Sequence, residues 1–194
     1  CFDAVYVTSP DYLGNLADVR GIADVCHRHR IPLLVDNAHG AYLKFLPGSL
    51  HPMDLGADMC SDSAHKTLPV LTGGAYLHVS KNAPSFLCEN AKNALSLFGS
   101  TSPSYLILSS LDSANRYLDG GYREKLARFV EELDDLKKEL EAHGYVLSGD
   151  EPMKLTICTK HYGYLGGELA EYLSTRNFIP EFYDPDFLVL MLTP

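Results

Sequence analysis

The sequence predicts an α/β fold with a mainly parallel sheet, because short apolar strands alternate with segments of helical period in its first part. Apolar strands are predicted at 4–8 and 32–36, and the segment 16–30 between them repeats apolar residues at helical spacing. Two further strands are predicted at 58–61 and 74–79. Strands that are almost continuously apolar are typical of parallel sheets covered on both faces. In such sheets, ligands bind beyond the carboxyl ends of the strands.

The rest of the chain predicts helices followed by a small α+β unit. Residues 84–143 have a helical pattern, and 122–143 carry the apolar stripe of a long amphipathic surface helix. The segment Gly-Asp-Glu-Pro at 149–152 is the best linker candidate. We therefore predict two domains, with 1–148 as the C-terminal part of a larger domain and 149–194 as the start of a small α+β C-terminal domain. Both chain ends read as strands, so we expect a piece of a longer protein.

The composition is that of an ordinary globular domain and argues against several classes of partner. Apolar residues make up 46% of the 194 residues and the formal net charge is −9, which is unlike a nucleic-acid-binding surface. The apolar runs are short and interrupted by charge, so we predict no membrane span. Five cysteines without a CxxC pair favour reduced thiols in a cytoplasmic protein. We predict no metal site, because six histidines show no ligand spacing: His27, His29, His51, His78, His143 and His161.

Two residues point to chemistry at the edge of the predicted sheet. Lys66 follows an apolar strand and is flanked by His65 and hydroxyl residues, as suits a lysine that forms a Schiff base. Taken alone, the motif is only suggestive, and a surface lysine beside a turn is the alternative. Asp36 ends a buried strand, where an unpaired carboxylate is costly and is expected to face a cation. A protonated pyridine nitrogen is one such cation, and a helix cap or turn is the alternative role.

Four segments resemble the ornithine/lysine/arginine decarboxylases, which are pyridoxal-5′-phosphate (PLP) enzymes of fold type I. They are TSPDYLG at 8–14, VDNAHGA at 35–41, SAHKTLP at 63–69 and FGSTSPSY at 98–105. The segments appear in family order, and the resemblance runs from about residue 2 to at least residue 120. It implies a three-layer large domain of the aspartate-aminotransferase type as the fold, with PLP as the cofactor.

The resemblance implies a role for each matching residue at the cofactor ring. Lys66 carries PLP as a Schiff base, and Asp36 keeps the pyridine nitrogen protonated. Ala38 packs against one face of the ring, and His39 lies near the phenolic oxygen of PLP. Lys66, Asp36 and His39 are therefore the expected catalytic residues, although a core histidine is the alternative for His39.

The resemblance also implies where the cofactor phosphate binds. Ser63 and His65 contact it within one subunit, while Ser100 and Thr101 reach the phosphate of the neighbouring subunit in a homodimer. Ser100, Thr101 and Ser102 are equally consistent with a cap for the helix that follows. The family's phosphate loop and ring-stacking aromatic lie upstream of the matched segments and are not in this sequence. We therefore expect the isolated chain to bind PLP weakly or not at all.

The implied activity is the decarboxylation of arginine, lysine or ornithine to the corresponding amine and CO₂, as in polyamine biosynthesis. The sequence does not distinguish among these three substrates. Another fold type I enzyme is one alternative, since aminotransferases and α-oxoamine synthases also end a strand in Asp-x-Ala-His. A truncated copy that dimerises without catalysis is the other.

Overall fold

A computed structural model describes residues 2–100 and 102–194, and this part of the chain forms two compact units. The first unit comprises the described residues up to Ser9 together with Ala17–Arg123. The second comprises Pro10–Leu16 and Glu124–Pro194. Each unit contains a four-stranded sheet and helices that pack on it, so the chain has an α/β organisation.

The sheet of the first unit has the strand order β1-β2-β3-β4. Its strands are β1 (Val5–Thr8), β2 (Leu33–Asp36), β3 (Met59–Asp62) and β4 (Tyr76–Val79). As predicted, β1, β2 and β3 pair in parallel, whereas β4 pairs with β3 in the antiparallel direction. The sheet is therefore mainly parallel, as predicted, with one antiparallel strand at its edge.

One face of this sheet is covered by α1 (Val19–Arg28). Asp18 caps the helix by accepting a backbone hydrogen bond from its first turn. The apolar side of α1 packs on Leu33 and Val35 of β2, and burying each large apolar side chain stabilises the fold by about 1.5–3 kcal/mol. The other face carries the exposed side chain of Tyr6. The expectation of a sheet covered on both faces stays a prediction.

Short and long helices complete the first unit. The short ones are the 3₁₀ helix Ala41–Phe45, α2 (Pro52–Leu55) and α3 (Ala64–Thr67), and the long ones are α4 (Ser85–Phe98) and α5 (Tyr105–Asp119). Among the described side chains, α4 buries none. Large apolar residues around the α4–α5 link are exposed to solvent: Leu97, Phe98, Tyr105 and Leu106.

The second unit is built on an antiparallel sheet of strand order β5-β6-β8-β7. Its elements are α6 (Tyr122–Ala142), β5 (Leu147–Ser148), β6 (Lys154–Cys158), the 3₁₀ helix Thr159–Tyr162, α7 (Gly166–Ser174), β7 (Phe182–Tyr183) and β8 (Phe187–Met191). The first two residues of α6 group with the first unit. The predicted amphipathic helix over 122–143 is confirmed, with Leu126 and Leu133 buried on its apolar side. The sheet packs on α7 through Leu155, Ile157, Leu188 and Ala170.

Residues 10–16 join the second unit through polar contacts that the sequence analysis did not predict. Lys154 Nζ donates a hydrogen bond to the backbone carbonyl of Asp11 at 2.7 Å. The carboxylate of Asp150 accepts the backbone N–H of Leu16 at 2.8 Å. These contacts tie the loop after β1 to the start of β6. The predicted domain boundary at the linker before β6 stays a prediction.

The described residues contain no helix that is long and apolar enough to cross a membrane. The four described cysteines are free thiols, and Cys88 is the exposed one among them. Burial raises the pKa of the Cys60 thiol, and the nearby Asp62 carboxylate adds to this shift. The Cys60 thiol is therefore held in its protonated, unreactive form.

Tyr122 lies near the end of the first unit and forms an aromatic cluster with two other residues. Its buried ring meets Phe45 edge-on with 5.4 Å between ring centroids, and Tyr117 at 5.5 Å. Within the described part of the chain, the buried Tyr122 hydroxyl has no hydrogen-bond partner. Burial raises the pKa of Tyr122, with Tyr117 adding to the shift. The ring therefore stabilises the fold while the hydroxyl opposes it.

Tyr122→Phe is expected to leave the free energy of unfolding unchanged or to raise it by up to about 1 kcal/mol, because it removes only the unpaired hydroxyl. Tyr122→Ala is the control, and loss of the ring is expected to cost about 3–5 kcal/mol. Urea unfolding followed by circular dichroism measures both. A loss of more than about 1 kcal/mol in Tyr122→Phe would show that the hydroxyl is hydrogen-bonded and contradict this account.

Candidate active site

The carboxyl ends of three parallel strands align polar side chains at one edge of the first sheet. Asp36 ends β2 and pairs in register with Thr8 of β1 and Ser61 of β3. Residues paired in register lie on the same face of a sheet. The row formed by Thr8, Asp36 and Ser61 therefore lies on the open face, on the side that α1 does not cover.

The Asp36 carboxylate is oriented at this edge by two donors. Its Oδ1 accepts the backbone N–H of Ala38 at 3.1 Å, and its Oδ2 accepts the Tyr6 hydroxyl at 3.3 Å. Burial raises the pKa of Tyr6, and the negative charge of Asp36 adds to the shift. Asp36 and Ala38 are half-buried. The carboxylate thus lies at the strand end, as the sequence predicted, and stays accessible to a cation on the open face.

Lys66 lies in α3, directly after β3, and reaches a residue that follows β2. Its Nζ lies 2.9 Å from Nε2 of His39. His39 is only 3% exposed and sits in the turn closed by the hydrogen bond from Gly40 N to the Asn37 carbonyl. In such a contact one nitrogen donates and the other accepts, so the pair can hold a proton between them. The structure therefore brings two of the predicted catalytic residues, Lys66 and His39, into direct contact.

Ser63 and His65 lie close to Lys66 in the sequence, and their side chains differ in the hydrogen bonds that they make. Ser63 begins α3 without donating or accepting a side-chain cap hydrogen bond, and it is half-buried. His65 Nδ1 lies 3.0 Å from the carbonyl oxygen of Gly74 and donates to it. Nε2 is then the ring atom left for a further partner, and it donates to an anion only when the imidazole is protonated.

The two residues assigned to a neighbouring subunit belong to the link between α4 and α5. Ser100 is exposed, and its Oγ accepts the backbone N–H of Ser102 within the same turn. Thr101 lies outside the described residues. The cap of α5 is Ser104, whose Oγ accepts the backbone N–H of Ile107, so the expected alternative of a cap at 100–102 was wrong.

The side chains at this edge have the chemical groups that binding of PLP requires. The Asp36 carboxylate can accept a hydrogen bond from a protonated pyridine nitrogen, and the Lys66 amine can form a Schiff base with the aldehyde. Ala38, which donates its backbone N–H to Asp36, has a side chain small enough for a flat ring to pack against. The Ser63 hydroxyl, not used as a helix cap, is a donor for the phosphate.

Three further side chains meet on the other side of β3, and their convergence was not predicted from the sequence. His51 Nε2 lies 3.0 Å, and His78 Nε2 2.9 Å, from Oδ2 of Asp62. The interpretation of His51 and His78 as ordinary histidines is corrected by this convergence. The available signal was strand alternation, which turns Asp62 away from the face that carries its neighbour Ser61.

The two histidines and a buried amide stabilise the charged form of Asp62. Burial on its own raises the pKa of this carboxyl, but hydrogen bonds from His51, His78 and Asn37 outweigh it. The net result is a pKa well below the usual range of an aspartate. Asp62 is therefore a buried carboxylate that accepts hydrogen bonds from two imidazoles and one amide.

Comparison with known proteins identifies relatives over most of the chain. Residues 2–149 match the family described as Orn/Lys/Arg decarboxylase, major domain. An uncharacterized protein of Bacillus subtilis (strain 168), YaaO, is 34% identical over 200 residues, which cover 96% of this chain and 40% of the relative. An arginine decarboxylase of the same strain is 31% identical over 206 residues, covering 97% of this chain and 41% of the relative. The chain spans about two fifths of the length of these relatives.

A solved structure with a similar fold is the Francisella novicida lysine decarboxylase LdcF. The TM-score is 0.75 at 18% sequence identity, over 98% of this chain and 33% of that chain. At this identity the likeness concerns the fold alone. It agrees with the α/β organisation of the described residues.

Gly40 is expected to be essential to the turn that carries His39. An added Cβ would clash with Oδ1 of Asn37 and lie 2.7 Å from Cδ1 of Leu43, and both of these side chains are buried. Gly40→Ala is therefore expected to lower the free energy of unfolding by about 1–3 kcal/mol. Gly48→Ala is the matched control, because its Cβ would meet no atom within 4 Å. Denaturant unfolding measures both variants, and equal effects would contradict the steric argument.

Proposed function

The chain belongs to the Orn/Lys/Arg decarboxylase family, and on that premise we propose that it is part of a PLP-dependent decarboxylase of a basic amino acid. Arginine, lysine or ornithine is the proposed substrate, and the corresponding amine and CO₂ are the products. The names of the relatives support this class, since one is an arginine decarboxylase and a protein of similar fold is a lysine decarboxylase.

The observation that carries the proposal is the contact between Lys66 and His39 beside the strand-end carboxylate of Asp36. Lys66 Nζ and His39 Nε2 are 2.9 Å apart, and the two residues follow adjacent parallel strands. Ligands of parallel α/β sheets bind at this edge. An amine nucleophile, a proton-holding imidazole and a carboxylate are the groups that chemistry on a pyridine aldehyde requires.

Asp36 is proposed to hold the proton on the cofactor ring. PLP, when bound, supplies an electron sink for the electron pair left at the substrate Cα when CO₂ departs. The Asp36 carboxylate, which the Ala38 N–H and the Tyr6 hydroxyl orient, accepts the hydrogen bond of the ring N–H. A fixed negative charge at that position favours the protonated ring and so strengthens the sink.

Lys66 and His39 are proposed to act as nucleophile and proton partner. The Lys66 amine would hold the cofactor through its aldehyde. Its Nζ lies within hydrogen-bond reach of His39 Nε2, so a proton can pass between these two atoms.

Four hydroxyl and imidazole groups are proposed to bind the cofactor phosphate. Ser63 donates its uncapped hydroxyl. His65 donates from Nε2 in its protonated form, because Nδ1 is engaged with the Gly74 carbonyl. Ser100 and Thr101 are assigned to the phosphate of a neighbouring subunit.

We extend the proposal to the assembly and its location. The protein is a cytoplasmic homodimer, or a higher oligomer built from that dimer, of three-layer fold type I architecture, in which 1–148 belong to the large domain and 149–194 open the C-terminal domain. The exposed apolar residues beside Ser100 support the dimer, because contiguous patches of this kind mark interfaces. They are 73–91% exposed: Leu97, Phe98, Tyr105 and Leu106.

Covalent binding of PLP is expected at Lys66. Borohydride reduction of the complete gene product with PLP, followed by peptide mass spectrometry, is expected to show the cofactor on Lys66. Lys66→Ala is expected to abolish it, whereas Lys81→Ala, an exposed control, keeps it. The 194-residue chain alone is expected to bind weakly. Absence of the cofactor from Lys66 in the complete product contradicts the assignment, and strong Lys66-dependent absorbance in the chain alone contradicts the weak binding.

Decarboxylation is expected to depend on Asp36. The complete gene product is expected to release CO₂ from at least one of arginine, lysine and ornithine. Asp36→Asn is expected to lower kcat by about 10²-fold or more, because it removes the charge opposite the ring proton. Asp24→Asn, on the exposed side of α1, is the control.

Release of no CO₂ from any of the three amino acids by the unsubstituted protein would overturn the proposed activity. The retained pair of Asp36 and Lys66 would then belong to an aminotransferase or an α-oxoamine synthase if amino-group or acyl transfer is found. It would belong to a non-catalytic dimerising copy if neither is found.

Self-association is expected to depend on the exposed apolar residues beside Ser100. Phe98→Asp is expected to weaken dimerisation of the complete gene product at least tenfold, which corresponds to about 1.4 kcal/mol. Val25→Asp, on the exposed side of α1, is the matched control. Sedimentation equilibrium measures both, and a monomeric unsubstituted protein would contradict the dimer.

A further inference from the structure

The Asp62 cluster, defined as His51, Asp62 and His78, lies on the face of the first sheet opposite Asp36. Asp36 pairs with the residue directly before Asp62, and consecutive strand residues point to opposite faces. His51 precedes α2, and His78 belongs to the antiparallel strand β4. All three residues belong to the first unit. The proposed decarboxylation uses none of them.

The three side chains present their ligand atoms at distances close to those of a bound metal ion. The Nε2 atoms of His51 and His78 lie 3.0 and 2.9 Å from Oδ2 of Asp62, and all three atoms lie within 4.8 Å of one another. Around a tetrahedral Zn²⁺ with bonds of about 2.0–2.2 Å, neighbouring ligand atoms are about 3.3–3.6 Å apart. A few tenths of an ångström of outward movement by the rings would make room for the ion.

Asp62 is already oriented as a monodentate ligand. Its Oδ1 accepts the side-chain N–H of Asn37 at 2.8 Å and the thiol of Cys60 at 3.4 Å. His51 Nε2 also lies 3.3 Å from Oδ1, but the shorter contacts of both imidazoles are with Oδ2. Hydrogen bonds that fix the far atom of a ligand carboxylate are typical of metal centres.

A cavity gives an ion access to the cluster. It has a volume of about 270 Å³, and its wall includes the cluster together with Lys44, Tyr76 and other residues of the first unit. The His78 side chain is 38% exposed, while those of His51 and Asp62 are 4% exposed. The site therefore has one accessible ligand, two buried ones, and space for water as a fourth.

From these observations we propose that His51, Asp62 and His78 bind a divalent transition-metal ion, with Zn²⁺ as the best match to two imidazoles and one carboxylate. The donor set is intermediate in softness and suits Zn²⁺ better than Ca²⁺ or Mg²⁺, which prefer oxygen. The ion links β3, β4 and the start of α2 on the face of the sheet opposite Asp36. Lys66 follows β3 in the sequence. The inference does not depend on the proposed decarboxylation.

Binding requires a shift of protons on the imidazoles. The present hydrogen bonds to Asp62 need a proton on each Nε2, whereas a metal needs the Nε2 lone pair. His51 then carries its proton on Nδ1, which at present accepts the backbone N–H of Met53 at a long 3.3 Å. That bond is lost when the ion binds.

The test is direct titration of the complete gene product, stripped of metal by chelator dialysis and kept reduced, with Zn²⁺ and with Co²⁺. One ion per chain is expected by elemental analysis, with the visible Co²⁺ bands of tetrahedral nitrogen and oxygen ligation and without thiolate charge transfer. His78→Gln is expected to weaken binding at least a hundredfold. His29→Gln, an exposed histidine of the same unit, is the matched control and keeps full affinity.

Each other outcome overturns the proposal. No stoichiometric uptake by the unsubstituted chain means that the cluster is a hydrogen-bonded group only. Uptake that His78→Gln leaves unchanged, or Co²⁺ spectra with thiolate charge transfer, means that the ion binds elsewhere. Since His78 is the most exposed of the three ligands, its substitution is the one that the fold tolerates best, and circular dichroism checks this directly.

Discussion

The parallel register between β2 and β3 is the constraint on which the site depends. It places Asp36 opposite Ser61, and it brings the turn after β2 beside α3, so that His39 and Lys66 meet. A slip by one residue would turn Asp36 toward α1 and exchange the two faces of the sheet. The register is held by the apolar side of β2, where Val35 and its neighbours pack against α1. The chemistry on the open face thus depends on the packing of the opposite one.

β3 serves both faces of the sheet because its residues alternate. Ser61 joins the row of Asp36 on the open face, while Asp62 turns inward and gathers two imidazoles. α3 then starts at the end of the same strand and carries Lys66. The hydrogen bonds that hold Asp62 at the end of β3 therefore also help to position the start of α3, the helix that carries Lys66. The Asp62 cluster and the candidate active site are therefore adjoined by the end of β3 and by Asn37, whose amide donates to Asp62 and whose carbonyl closes the turn of His39.

Local sequence patterns predicted the residues at the strand ends. They could not predict the features that depend on contacts between residues far apart in the sequence. Asp36 and Lys66 were predictable because each follows an apolar strand and lies in a segment that resembles a known family. The Asp62 cluster was not, since its members meet through the antiparallel pairing of β4 and the start of α2, which leave no regular spacing. The attachment of residues 10–16 to the second unit depends on hydrogen bonds that span more than 130 residues of sequence, as in that between Lys154 and Asp11. The roles of Ser100 and Thr101 depend on a neighbouring subunit.

The central claim is that Asp36 holds a protonated cofactor ring beside Lys66. The most direct measurement is the ¹⁵N chemical shift of ring-labelled PLP bound to the complete gene product, since this shift reports whether the pyridine nitrogen carries a proton. We expect a protonated nitrogen in the unsubstituted protein and an unprotonated one in Asp36→Asn at the same pH. A ring nitrogen with the same protonation state in both proteins would contradict it.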